Sequence, residues 1–148
     1  PTFHKMADVS DPQILDSYND VRSDATETNW AKFVYEGNNK IVAGPKGSGG
    51  LAELQQQFSA DEAAYAYARV TTGDSESKRA KFIFIAWGGD HAKVLLKAKM
   101  SVHRASLKEV VKEFALEIFA SDADDLTPER VTATVIKAGG ANYHGQGV

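Results

Sequence analysis

Apolar and polar positions along the chain change period several times, and each change marks an element. Behind Asp11-Pro12, an N-cap residue followed by proline at the first helical position, Ile14, Leu15, Tyr18 and Val21 recur at helical spacing. Asn29–Tyr35, with Trp30, Phe33, Val34 and Tyr35, reads as a strand, and Gly37-Asn38-Asn39 turns it into a second one at Lys40–Ala43. A glycine-rich stretch, 44–50, predicts a loop, and Leu51, Leu54 and Phe58 a short helix. Ala63–Val70 alternates strictly, with Tyr65 and Tyr67 on one face and Ala64, Ala66 and Ala68 on the other. Ala80–Trp87 is apolar throughout, the pattern of a central strand covered on both faces. Gly88-Gly89-Asp90 should end it and cap a long helix reaching about Phe114. A short strand at Glu117–Ala120 and a last helix from Thr127-Pro128, stopped by Gly139-Gly140, complete the chain. The order α β β α β β α β α predicts an α/β (α+β) fold, a mixed sheet with helices on both faces.

The chain has 148 residues, enough for one domain with a real core. With no cysteine, disulfides, thiolate metal sites and cysteine nucleophiles are excluded, and a reducing cytoplasmic setting is expected. Pro1–Lys5 reads as the remnant of an expression tag, 6–138 as the single domain and 139–148 as a flexible tail. No apolar run reaches the length of a membrane span. The net charge of −3 argues against a nucleic-acid partner, but the average hides a strong asymmetry. Residues 74–112 carry +5 and the rest of the chain −8, and 91–108 contain no acidic residue. Such a run is either a solvated face or a contact surface for an acidic partner.

Candidate chemistry is sparse. The 44–50 loop has Lys46 before Gly47 and Ser48, the wrong order for a phosphate-binding P-loop. His91 and His103, read on one helix, would lie about 18 Å apart along its axis, too far to share a metal. Asp122, Asp124 and Asp125 precede a helix, where negative charge is favoured by the dipole. No catalytic, cofactor or metal site is predicted, and an enzyme is the least expected class.

The long helix is more informative. At about 100° per residue, Lys93, Lys97, Met100, Arg104 and Lys108 fall within roughly 80° of one another. Leu95, Leu96, Val102, Leu107, Val110 and Phe114 fall on another side, and Lys99 falls among them. The expectation is therefore an apolar stripe facing the core and a cationic stripe, with one methionine, facing out. Ser77-Lys78-Arg79-Ala80-Lys81 forms a second basic point at a strand entrance.

Three segments give the chain a resemblance. They are Tyr18-Asn19-Asp20-Val21-Arg22 with Trp30; Thr71-Thr72-Gly73-Asp74 with Ser77-Lys78-Arg79, Lys81-Phe82 and Trp87; and Leu107-Lys108-Glu109-Val110-Val111 with 137–143. In order and spacing the sequence resembles the coactosins, within the actin-depolymerising-factor homology (ADF/cofilin) superfamily. Leu96-Lys97-Ala98-Lys99-Met100 is similar to the start of the long actin-binding helix of cofilins. The resemblance implies an ADF-homology fold, a mixed sheet of five or six strands between helices. It implies a cytoplasmic, monomeric protein of the actin cytoskeleton, without cofactor, that binds filament sides and counters barbed-end capping without strong severing. The actin-binding residues it implies are Lys97, Lys99, Met100, Arg104 and Lys108 on the long helix. The resemblance also implies a filament-specific surface made by Lys78, Arg79 and Lys81 with Lys137. Two rival expectations remain: cofilin-like monomer binding with filament severing, and an adaptor or chaperone for a protein other than actin. Cofilins carry a regulatory serine almost at the N-terminus, whereas Met6-Ala7-Asp8 offers none.

Overall fold

A computed structural model describes residues 6–73 and 79–144, and their side chains except at 79 and 140–144. Four helices and five strands follow in the order α1 (Pro12–Arg22), β1 (Trp30–Glu36), β2 (Lys40–Gly47), α2 (Gly50–Gln55), β3 (Ala63–Thr72), β4 (Arg79–Gly88), α3 (Val94–Leu107), β5 (Leu116–Ala120) and α4 (Pro128–His144). The sheet order is β2-β1-β3-β4-β5. Every neighbouring pair is antiparallel except β4 and β5, which are parallel and need the crossover that α3 supplies. The mixed sheet between helices is the expected architecture, with five strands among the described residues.

The alternation along β3 sorts the two cores. Tyr65 and Tyr67 face α1 and α3, where Phe33, Phe84, Ile14, Tyr18, Val21 and Leu107 join them. Ala66 and Ala68 face the other way, where their small side chains leave room for Trp30, Leu54, Trp87, Val131 and Val135 beneath α2 and α4. β4 is buried on both faces, as its unbroken apolar run predicts. The tyrosine hydroxyls buried with their rings find partners: Tyr65 donates to the Met100 carbonyl at 3.1 Å, and Tyr67 to the Glu113 carbonyl.

Local sequence explains most element ends. Asp11 caps α1 by accepting from the Gln13 amide at 3.0 Å, and its other oxygen accepts from the Ala43 amide of β2 at 3.0 Å. Gly37, at φ +78°, takes the left-handed turn of the β1–β2 hairpin. Three boundaries differ from expectation. The stretch 44–47 is not loop but the end of β2, held in register opposite Trp30 and Ala31; Pro45 is tolerated because β2 is an edge strand. α3 begins at Val94 and ends at Leu107, shorter at both ends than predicted. α4 runs to His144, past Gly139-Gly140; two glycines cost a helix about 1 kcal/mol each, which weakens it without ending it. The expected tail over 139–148 thus starts inside a helix, while the expected tag remnant, 1–5, lies outside the described residues.

Candidate functional site

α3 is the element the fold presents, and its approach to the sheet is fixed from three sides. The segment between β4 and α3 is latched to the loop 57–62. Gly89 N–H donates to the Glu62 carbonyl at 2.9 Å, His91 N–H to Ala60 O at 2.8 Å and the Trp87 indole to Ser59 O at 2.8 Å. The approach is so close that a Cβ on Gly89 would lie 2.3 Å from Ala60 O, so no other residue fits unshifted. Lys32, only 7% exposed, anchors that loop from beneath, donating to Gln57 O at 2.6 Å and pairing with Glu62 at 2.8 Å.

The middle of α3 is held by a directed hydrogen-bond chain. Tyr65 spends its one hydroxyl proton on Met100 O, so Tyr35 is the donor in the 3.0 Å Tyr35–Tyr65 contact. His103 Nδ1 must then carry the proton it shares with Tyr35 Oη across 2.8 Å. Burial pushes the Tyr35 hydroxyl up to about 12 and Tyr65 higher still, so both remain protonated donors at neutral pH. On the third side the Ala7 amide donates to Ser106 Oγ at 3.2 Å, and Lys99 Nζ to Asn39 Oδ1 at 3.2 Å.

These contacts decide which face is left outside, and it is not the expected one. His103, Ser106 and Leu107 are the buried residues of α3, while Val94 is 82%, Leu95 57% and Val102 37% exposed. Ala98, Ser101 and Ala105 are exposed beside them. The expected core stripe is thus partly reversed: Leu95 and Val102 face solvent, and Met100, expected to face out, packs against the α1–α3 core. The reason is polar. The tyrosine–histidine chain and Ser106 share the inward face with Leu107 and Met100, and a hydrophobicity wheel gives His103 and Ser106 no reason to be buried.

The cations divide. Lys93 and Lys97 are exposed and have no ion-pair partner among the described residues. Arg104 and Lys108 both turn to Glu117 of β5, at 3.3 and 2.7 Å, so they are not the outward charges of the expected stripe. Lys93 is also the N-cap of α3, with no side-chain cap and no acidic residue in the first turn. Positive charge at that end opposes the helix dipole. An apolar face edged by cations at an uncapped helix start suits an acidic, partly apolar docking partner.

The second expected patch lies elsewhere. Lys78 is outside the described residues, and Arg79 opens β4 opposite Thr72. Lys81 is half-buried and shares the sheet face of Ile83 and Ile85, the side covered by α4, where Lys137 is exposed. The sheet therefore separates the α3 cations from Lys81 and Lys137.

Other candidates resolve into structure. The carboxylate of Glu53 accepts from the Trp30 indole at 2.7 Å and the Gly49 amide at 2.9 Å, filling with negative charge the place where a glycine loop would hold phosphate. Asp122 and Asp125 form a capping box on a 3-10 turn, Ala123–Leu126, ahead of α4. His91 precedes α3, and among the described residues no group of three His, Cys, Asp or Glu could hold a metal ion. No helix among them is long and apolar enough to cross a membrane.

A three-layer α/β/α domain with four antiparallel-ordered strands, a parallel fifth and a presented crossover helix is the ADF-homology class of actin-binding folds. The chain belongs to the cofilin/tropomyosin-type actin-binding protein family, which its residues 6–136 match. It is 49% identical to coactosin of Dictyostelium discoideum over 141 residues, 95% of this chain and 97% of that one. It is 41% identical to the human coactosin-like protein over 133 residues, covering 88% and 90%. A crystal structure of the human protein superposes with a TM-score of 0.82 at 34% identity, covering 88% of this chain and 98% of that one. The solution structure of mouse coactosin, described as an actin filament binding protein, gives 0.74 at 37% identity, covering 95% and 97%.

Proposed function

We propose that the protein binds the sides of actin filaments, with the exposed face of α3 as its principal contact. The observation that carries this reading is the apolar strip of Val94, Leu95 and Val102, left outside by a helix that turns His103, Ser106 and Leu107 inward, and flanked by Lys93 and Lys97, which have no ion-pair partner among the described residues. The filament binding attributed to mouse coactosin supports it. Lys97 contacts the acidic filament directly, with Lys99 and Met100 framing the strip from its sheet side. Arg104 and Lys108 contribute as far as their ion pairs with Glu117 leave them available. Lys81 and Lys137, on the opposite face of the sheet, form a second contact together with the basic residues Lys78 and Arg79 that precede Lys81 in the chain, which lets one monomer touch two neighbouring subunits of a filament. The protein acts in the cytoplasm on the actin cytoskeleton, decorating filaments and countering barbed-end capping without strong severing.

The test is filament cosedimentation combined with microscopy of filament length. Val94→Asp and Val102→Asp each place a charge in the apolar strip at an exposed site, so folding survives and pelleting falls by roughly tenfold or more. Loss of pelleting without change in the circular dichroism spectrum supports the reading, and pelleting unaffected by either substitution rejects it. Filaments that keep their length support side binding; filaments that shorten within minutes favour a severing factor.

A further inference from the structure

We infer that Glu117 is a positioning residue that sets how much of the positive charge on α3 is offered to an acidic docking partner. The inference rests on the filament-binding reading above and deepens it. Residues 91–108 contain no acidic residue, yet two of their cations do not face solvent freely. Glu117 stands on β5 opposite Phe84, on the sheet face that α3 covers. Its Oε1 accepts from Lys108 Nζ at 2.7 Å, and its Oε2 lies 3.3 Å from Arg104 Nε. The three side chains are 23%, 31% and 27% exposed, so solvent screens them only partly.

Aromatic rings complete the clamp. The Arg104 guanidinium lies 4.7 Å from the Phe119 ring centroid, and the Lys108 ammonium 5.5 Å from that of Phe114. Each cation thus has a carboxylate oxygen and a ring face on the sheet side, and both are drawn towards the β5 edge. One carboxylate from a distant strand therefore lowers the cluster from two positive charges to one. Among the described residues it is the only carboxylate paired with a lysine or arginine of the 91–108 run.

A partner that attracts cations must compete with Glu117 for Arg104 and Lys108. Removing the carboxylate charge while keeping its shape should release both side chains, and their mutual repulsion drives them towards solvent. Glu117→Gln is expected to pellet with filaments about fivefold more tightly at low salt, a gain that shrinks as salt screens it. Glu117→Asp keeps the net charge but is one methylene shorter, reaches only one of the two cations, and should show a smaller gain. Asp16→Asn, at the exposed surface of α1, makes the same net-charge change as Glu117→Gln away from the cluster and should leave affinity unchanged.

Cosedimentation at low and raised salt reads all of these, with thermal melting alongside. The decisive arm repeats Glu117→Gln in an Arg104→Gln/Lys108→Gln background, where the gain should vanish. A gain that persists there, or no gain from either Glu117 variant, overturns the inference. A merely structural Glu117 would instead lower affinity and Tm together in both variants, which also overturns it. Failure of the unsubstituted protein to pellet refutes the filament reading itself; pelleting without the Glu117 effect refutes this inference alone.

Discussion

Lys93 stands where a helix ordinarily places a capping acceptor, and the molecule carries its own control for what the exchange is worth. At the start of α1, Asp11 with φ −60° and ψ 116° accepts from the Gln13 amide at 3.0 Å. At the start of α3, Lys93 has φ −58° and ψ 129°, nearly the same backbone, but no acceptor to offer the Leu95 amide. Lys93→Asp should therefore form the missing cap, worth about 1 kcal/mol. Replacing a cation by an anion at the positive end of the dipole adds about 0.5 kcal/mol. For a domain of this length the sum raises Tm by about 4 °C. The same substitution reverses a charge beside Val94 in the proposed contact, so filament affinity should fall by about tenfold. Lys93→Ser separates the two effects: it caps without reversing charge, raising Tm by about 3 °C and weakening binding by about threefold. Differential scanning calorimetry and cosedimentation on the same samples read both axes. If Tm does not rise, the capping argument fails. If Tm rises while pelleting is untouched, the docking face has been put at the wrong end of α3.

Gly89→Ala should lower Tm by several degrees, since overpacking against the Ala60 carbonyl costs about 1–3 kcal/mol; melting curves check it. Tyr35→Phe removes both the donor to Tyr65 and the acceptor for His103, at about 1–3 kcal/mol by denaturant titration, with the exposed face of α3 unaltered. Asp11 has its carboxyl held below the usual carboxylate range, first by the Ala43 amide and then by that of Gln13. Its contribution is therefore present above its unfolded value and lost as pH falls through the lower folded one. Asp11→Ala should accordingly cost about 1 kcal/mol at neutral pH. The gap in Tm to the unsubstituted protein should close progressively below about pH 4.

The sequence made the sheet readable because its strands carry their own instructions. The Tyr/Ala alternation of β3 assigns both cores, and Asp11-Pro12 marks a helix start that the structure keeps within a residue. What could not be read depends on partners distant in the chain. Glycines and a proline at 44–47 look like loop until β1 supplies a ladder for them. The polarity of His103 argues for solvent until Tyr35, 68 residues away, turns it inward. Arg104 and Lys108 look like free charge until Glu117 arrives from β5. The run of 91–108 without acidic residues drew attention to α3, but on composition alone it suggested that charge, not an apolar strip, faces outward. The exposure of Val94 and Leu95 could not be read either, because Gly88-Gly89-Asp90 suggests an earlier cap and hides the uncapped start at Lys93.

The central claim is that an apolar, lysine-edged face on α3 docks on filamentous actin, and cosedimentation at two salt concentrations tests it most directly. The account predicts saturable pelleting with filaments at low salt and weaker but persistent pelleting at raised salt, because the cations are screened while the buried apolar strip is not. A protein that stays in the supernatant with filaments at both concentrations contradicts it.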